Sequence, residues 1–142
     1  MRTARKMRMS EYFDSTVALS AIFQASTNYP DAAARIKAAG DERFIINHGL
    51  AEVYRTLTGR LKIPPKQAAQ LVEGALVSLF KEAEFSRSDY LKAIKSLAEK
   101  SLSGPIIYDA VHAQGARKVR ASKVHTYNLD HFRKIAPDLD VV

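Results

Sequence analysis

Phe44-Ile45-Ile46 is the stretch that most restricts the fold. All three residues are apolar, so a strand built from them needs cover on both faces, as strands in parallel sheets do. Asn47 follows as a helix cap, and behind it Leu50, Val53, Tyr54 and Leu57 recur at i, i+3, i+4 and i+7 until Thr58-Gly59 ends the pattern. A two-faced strand running straight into an amphipathic helix predicts alternating strands and helices around a mainly parallel sheet.

The rest of the chain repeats that alternation. Tyr12-Phe13 is a short strand ending at Asp14, with Ser15 or Thr16 as the cap of a helix through Val17, Leu19, Ile22 and Phe23. Tyr29-Pro30-Asp31 starts a second helix that Gly40 stops. After Pro64-Pro65 an amphipathic helix runs from Gln67 to Phe80, Ala83-Glu84-Phe85 reads as an edge strand, and Ser88 caps a helix with Asp89 in its first turn. Ser103-Gly104-Pro105 leads into a helix over Ile106 to Arg117. Val124 to Tyr127 and Leu139 to Val142 are the last two strands, with a short helix from Asp130 to Ile135 between them. Residues 1–10 form a basic N-terminal extension, a candidate for disorder, and residues 11–142 a single domain.

Composition narrows the chemistry. The chain has no cysteine, which removes disulfides and thiolate metal sites. No apolar run approaches the ~18 residues of a membrane span. The basic start is not followed by a hydrophobic region, since Glu11 and Asp14 intervene, so no secretory signal is expected and the cytoplasm is the expected location. The net charge of +7 favours a polyanionic partner only weakly. Four of the 22 basic residues lie in the first eight positions; without them 18 face 15 acidic residues, a charge of +3.

A few of those acids stand where chemistry is done. Ligands of open parallel sheets bind beyond the carboxyl ends of the strands. Asp14 and Asn128 directly follow strands, Glu52 lies in the helix after Phe44 to Ile46, and Asp109 opens the helix before the next strand. Unpaired carboxylates ~4 Å apart repel by about 4 kcal/mol at an effective dielectric of 20, so a cluster of them calls for a hard cation, Mg²⁺ or Mn²⁺. Each has a plainer role open to it: Asp14 as an N-cap, Glu52 as a solvated partner of Arg55, Asp109 as a complement to the helix dipole, Asn128 as a turn or cap residue. His112 and His131 read as packing or surface residues, because the four histidines lack metal-ligand spacing. No glycine-rich phosphate loop or Ser-His-Asp pattern is present.

Four stretches taken together resemble the PIN-domain nucleases, and among them the VapC-type toxins. These are Tyr12-Phe13-Asp14-Ser15-Thr16-Val17, then His48-Gly49-Leu50-Ala51-Glu52-Val53-Tyr54-Arg55-Thr56-Leu57-Thr58-Gly59, then Gly104-Pro105-Ile106-Ile107-Tyr108-Asp109-Ala110, and last Thr126-Tyr127-Asn128-Leu129-Asp130-His131-Phe132. The order holds from residue 11 to 142; the basic start and Pro105 in place of a second glycine depart from the commonest pattern. The resemblance implies a three-layer α/β/α fold with a central, mainly parallel sheet of about five strands. It implies a metal-dependent endoribonuclease whose catalytic set is Asp14, Glu52, Asp109 and Asn128, Asn128 standing in the place of a fourth acid and Asp130 as its candidate substitute. Asp14 and Asp109 would hold Mg²⁺, or Mn²⁺. The implied partners are RNA, a cognate antitoxin and a second copy of the chain, with no membrane. Arg117, Arg120 and Lys123, with Lys118, are candidates to grip RNA phosphates, or else simply a solvated helix end. Two other readings stay open: a catalytically silent PIN-like module that binds RNA or protein, and a phosphotransfer domain using Asp14 as nucleophile, which would need a Lys or Thr motif after a middle strand.

Overall fold

The structure, a computed structural model, describes residues 9–142. Of the basic extension only Met9 and Ser10 are described; the rest of that expectation lies outside the described residues. Ser10 is already tied to the fold, its carbonyl accepting the Ser122 N–H at 2.7 Å.

Four parallel strands are ordered β3-β2-β1-β4: β1 (Glu11–Phe13), β2 (Arg43–Ile46), β3 (Lys81–Ala83) and β4 (Lys123–His125). The segment expected as a fifth strand, Leu139 to Val142, makes a single parallel bridge, Val141 to Val124, with hydrogen bonds on either side. The side-chain period of two splits the apolar strands between two cores. Tyr12, Ile46 and Val124 point to one, under α6 (Arg87–Glu99), α7 (Ile106–Lys118) and α8 (Leu129–Ile135). Phe13 and Ile45 point to the other, under α1 (Ser15–Ile22), α2 (Tyr29–Ala38) and α3 (His48–Thr58). The expected three-layer α/β/α arrangement therefore holds.

Several boundaries move, for local reasons. β3 begins at Lys81, two residues before the expected edge strand, because Phe44 and Ile46 of β2 pair with Lys81 and Ala83. Ser86 rather than Ser88 caps α6: its hydroxyl accepts the Asp89 N–H, and the Asp89 carboxylate accepts the Ser86 N–H at 2.8 Å, a capping box that only Ser86 can close. The helix expected over Gln67 to Phe80 starts earlier and changes pitch. It comprises α4 (Pro65–Gln70), a π-helical stretch Leu71–Leu76 around Gly74, and α5 (Val77–Leu79). Among the described residues no helix is long and apolar enough to cross a membrane.

Candidate active site

The sheet's carboxyl edge and the helices leaving it enclose a cavity of about 240 Å³. Asp14, Glu52, Asp109 and Asn128 all line it, although they come from four separate parts of the chain. Asp14 follows β1 directly and is 1% exposed. Its Oδ1 accepts Thr16 Oγ1 at 2.5 Å and the N–H groups of Thr16 and Val17 at 3.0 and 3.2 Å, and its Oδ2 accepts Thr126 Oγ1 at 2.5 Å. Asp14, rather than Ser15 or Thr16, is thus the N-cap of α1, the plainer role open to it, and is part of the cavity wall as well. Burial raises its pKa, and the nearby His112 and the hydroxyls of Thr126 and Thr16 only partly offset that.

Glu52 projects from α3 and does not pair with Arg55. Its Oε1 accepts Ser15 Oγ at 3.0 Å and His112 Nε2 at 2.6 Å, while Oε2 has no partner among the described residues. His112, on α7 three residues beyond Asp109, is only 2% exposed and also meets the Tyr12 hydroxyl through Nδ1 at 2.6 Å. Burial acts against charge on both members of the pair. The Glu52 carboxylate outweighs it on His112, whose pKa is raised, and the His112 hydrogen bond outweighs it on Glu52, whose pKa is lowered.

Asp109 stands in the first turn of α7, where Oδ2 meets His131 Nδ1 at 2.8 Å and Oδ1 has no partner among the described residues. Asn128 occupies the N-cap position of α8 without a side-chain cap bond; its N–H donates to Thr126 Oγ1 at 2.9 Å. Asp130 faces the neighbouring hollow beside Arg133 and does not line the acid cavity.

The donor set suits a hard divalent cation. The carboxylates offer hard oxygen ligands, with Glu52 Oε2 and Asp109 Oδ1 free, and a cation would relieve the cost of keeping Asp14 ionised while buried. As the side chains stand, no three of the described His, Asp and Glu residues are close enough to hold an ion between them. Ser15, Thr16, Thr126, His112 and His131 satisfy the carboxylates instead. The N-terminus of α7, which has no side-chain cap, also opens onto the cavity and favours anions such as phosphate.

The PIN domain family matches residues 12–137, nearly the whole of this site and its scaffold. The chain belongs to the PIN domain family. Solved structures agree on the fold. VapC20 of Mycobacterium tuberculosis, described as a sarcin–ricin loop cleaving toxin, is 15% identical and superposes with a TM-score of 0.73, over 86% of this chain and 92% of that one. VapBC2 of Rickettsia felis, bound to a promoter DNA fragment, is 20% identical, with a TM-score of 0.67 over 94% of this chain and 98% of that one. VapBC-1 of nontypeable Haemophilus influenzae is 17% identical, with a TM-score of 0.69 over 94% and 97%. No curated protein matches the chain in sequence.

This PIN domain brings the four acid-pocket positions together and leaves the expected cationic group elsewhere. Arg117 is eight residues along α7 from Asp109, about 12 Å of helix, and its guanidinium is held bidentately by Asp138 at 2.9 and 3.0 Å. Lys118 is held by Asp89 and the Glu84 carbonyl. Lys123 starts β4 opposite Glu11, at the far edge of the sheet from Thr126, and Arg120 lies in the turn before it. His112, His131, Ser15, Thr16 and Thr126 are the site residues that sequence reasoning missed. The available signal was that His112 is i+3 from Asp109, hence on the same helical face, and that Tyr12 and Asp14 share a strand face.

Proposed function

We propose that this PIN domain is a metal-dependent endoribonuclease of the VapC toxin type, hydrolysing RNA phosphodiester bonds to leave 5′-phosphate and 3′-hydroxyl ends. The observation that carries the reading is the convergence of Asp14, Glu52, Asp109 and Asn128 on one cavity in a chain of this family. Asp14 and Asp109 would hold Mg²⁺, with Mn²⁺ as the alternative. Once bound, such an ion offsets the charge developing on the phosphate oxygens and makes a nearby water more acidic. Glu52 Oε2, free while Oε1 is held by His112 and Ser15, accepts the proton of the attacking water. The Asn128 amide positions the phosphate. A phosphotransfer role for Asp14 is disfavoured, since no lysine lines the cavity among the described residues and Thr126, which meets Asp14, follows the edge strand β4 rather than a middle one.

The same reading implies action in the cytoplasm and two protein partners, a cognate antitoxin and a second copy of the chain. Exposed Leu91 and Ile94, one turn apart on α6, offer an apolar surface for such contacts.

Incubating total RNA with the protein, with Mg²⁺ or with EDTA, and mapping new 5′ ends tests the activity. Wild type should cleave only with the metal. Asp109→Asn should lose more than about a hundredfold in rate with unchanged circular dichroism, since even outer-shell changes at metal sites cost 10–100-fold. Cleavage in EDTA, or at full rate by Asp109→Asn, would remove the assignment. A silent binding module would retain RNA without cutting it.

A further inference from the structure

Beside the acid cavity lies a second hollow of about 410 Å³, which shares Glu52, Pro105 and Tyr108 with it. Its distinctive feature is an aromatic pair. The rings of His48, in the first turn of α3, and Tyr108, in the first turn of α7, lie parallel within 7° with centroids 5.8 Å apart. They are braced from behind: His48 meets the edge of Tyr90 at 6.3 Å, and Tyr90 meets buried Phe85 at 4.6 Å. Tyr108 ends this row 47% exposed, with no hydrogen bond to its hydroxyl among the described residues. Arg55, exposed and without an ion pair among the described residues, lines the same hollow. A large ring held rigid by a stacked neighbour, yet left open to solvent at the mouth of the candidate active site, is a preorganised π surface.

Resting on the ribonuclease reading, we propose that Tyr108, seated on His48 and flanked by Arg55, stacks the nucleobase next to the scissile phosphate. Stacking explains why the exposed face is flat and uncharged, since every base offers a π face to such a platform. Arg55 supplies the cation for the adjoining backbone phosphate. The hollow adjoins the acid cavity through Glu52 and Tyr108, so a base on the platform and a phosphate at the acids would be neighbours. The grip on the nucleotide next to the cut is thereby made at residues 48, 55 and 108, apart from the acids.

The probe is a set of single-stranded 12-nucleotide RNAs of mixed sequence, each carrying 2-aminopurine at one position, titrated with Asp109→Asn protein. At one register, binding should quench the 2-aminopurine strongly. Adding Tyr108→Ala should abolish that quench and weaken binding about tenfold or more, and Tyr108→Phe should preserve both. With Asp109 intact, Tyr108→Ala should raise KM more than it lowers kcat. Quenching and affinity unchanged in Tyr108→Ala would overturn the platform while leaving the nuclease assignment intact. Binding and quenching without any cleavage by wild type would remove the nuclease and keep the platform. If RNA does not bind, both fall. If Tyr108→Ala loses only inhibition by a protein partner, the pair belongs to that partner and the proposal is wrong.

Discussion

At the residue scale the site depends on how Glu52 is held. A glutamate on a helix face away from its own apolar stripe would ordinarily swing in solvent. Here His112 Nε2 and Ser15 Oγ fix one of its oxygens and leave the other free. The pair predicts a pH dependence of stability. His112 has its pKa raised in the fold, so its contribution is complete below the unfolded value of about 6.5 and is lost as pH rises through the higher folded value. Glu52 has its pKa lowered, so its contribution is complete above the unfolded value of about 4.5 and is lost as pH falls through the folded value. Both contributions are full between those limits. The alkaline loss is softened, because the Tyr12 O–H can then donate to the bare Nδ1 of His112. In EDTA, wild type should therefore lose Tm between pH 6 and pH 9, and His112→Gln should lose less over the same range while starting lower, by up to about 3 kcal/mol for breaking a largely buried pair. Parallel Tm curves for the two proteins would show that folding leaves the His112 pKa unshifted.

At the element scale the decisive piece is α7, which carries both Asp109 and His112 and must lie close to the sheet to present them. Ala110, Ala113 and Ala116 make that approach possible, and Gly115 sets its limit. A Cβ there would overlap Ile46 Cγ2 and come within 3.2 Å of the Tyr12 ring, whose hydroxyl meets His112. Gly115→Ala gains about 1 kcal/mol of helix propensity but overpacks a full core, a cost of about 1–3 kcal/mol. The net effect should be a lower Tm, together with weakened cleavage as Tyr12 is displaced. Gly74, in the π-helical stretch, has open space where a Cβ would stand, with nothing within 4 Å, so Gly74→Ala should raise stability by about 0.4–1 kcal/mol. Denaturant melts of the two variants check both signs. These elements also show what could be read in advance. Two-faced apolar strands and i, i+3, i+4 helices are local patterns, so β1, β2, α3 and α7 were legible, and so were the acids that follow them. The π-helical stretch and the Ser86 cap were not, because each turns on a choice among near-equivalent local hydrogen bonds. His112 escaped for a different reason: its partners Tyr12, Ser15 and Glu52 are 60 to 100 residues away in sequence.

At the scale of the whole molecule the question is which cations would meet the proposed RNA substrate. Two groups stand apart. Arg55 and Arg133 line the hollows on either side of the acid cavity and make no ion pair among the described residues. Arg117, Arg120 and Lys123 lie toward the start of β4, with Arg117 already bound to Asp138. A strand passing from Arg55 over Asp14 and Asp109 to Arg133 keeps its phosphates near the first group and away from the second. Single-stranded nucleic acid releases counterions such that each phosphate contact contributes about 0.7 to the slope of log K against log salt. Replacing Arg55 and Arg133 with glutamine in the Asp109→Asn protein should therefore reduce the slope for a 12-nucleotide RNA by about 1.4. Replacing Arg120 and Lys123 should leave it unchanged, even though both double variants remove the same two charges from a chain of net charge +7. Equal losses of slope would mean that the RNA reaches around to the far edge of the sheet, and that net charge rather than the line of the two hollows directs it.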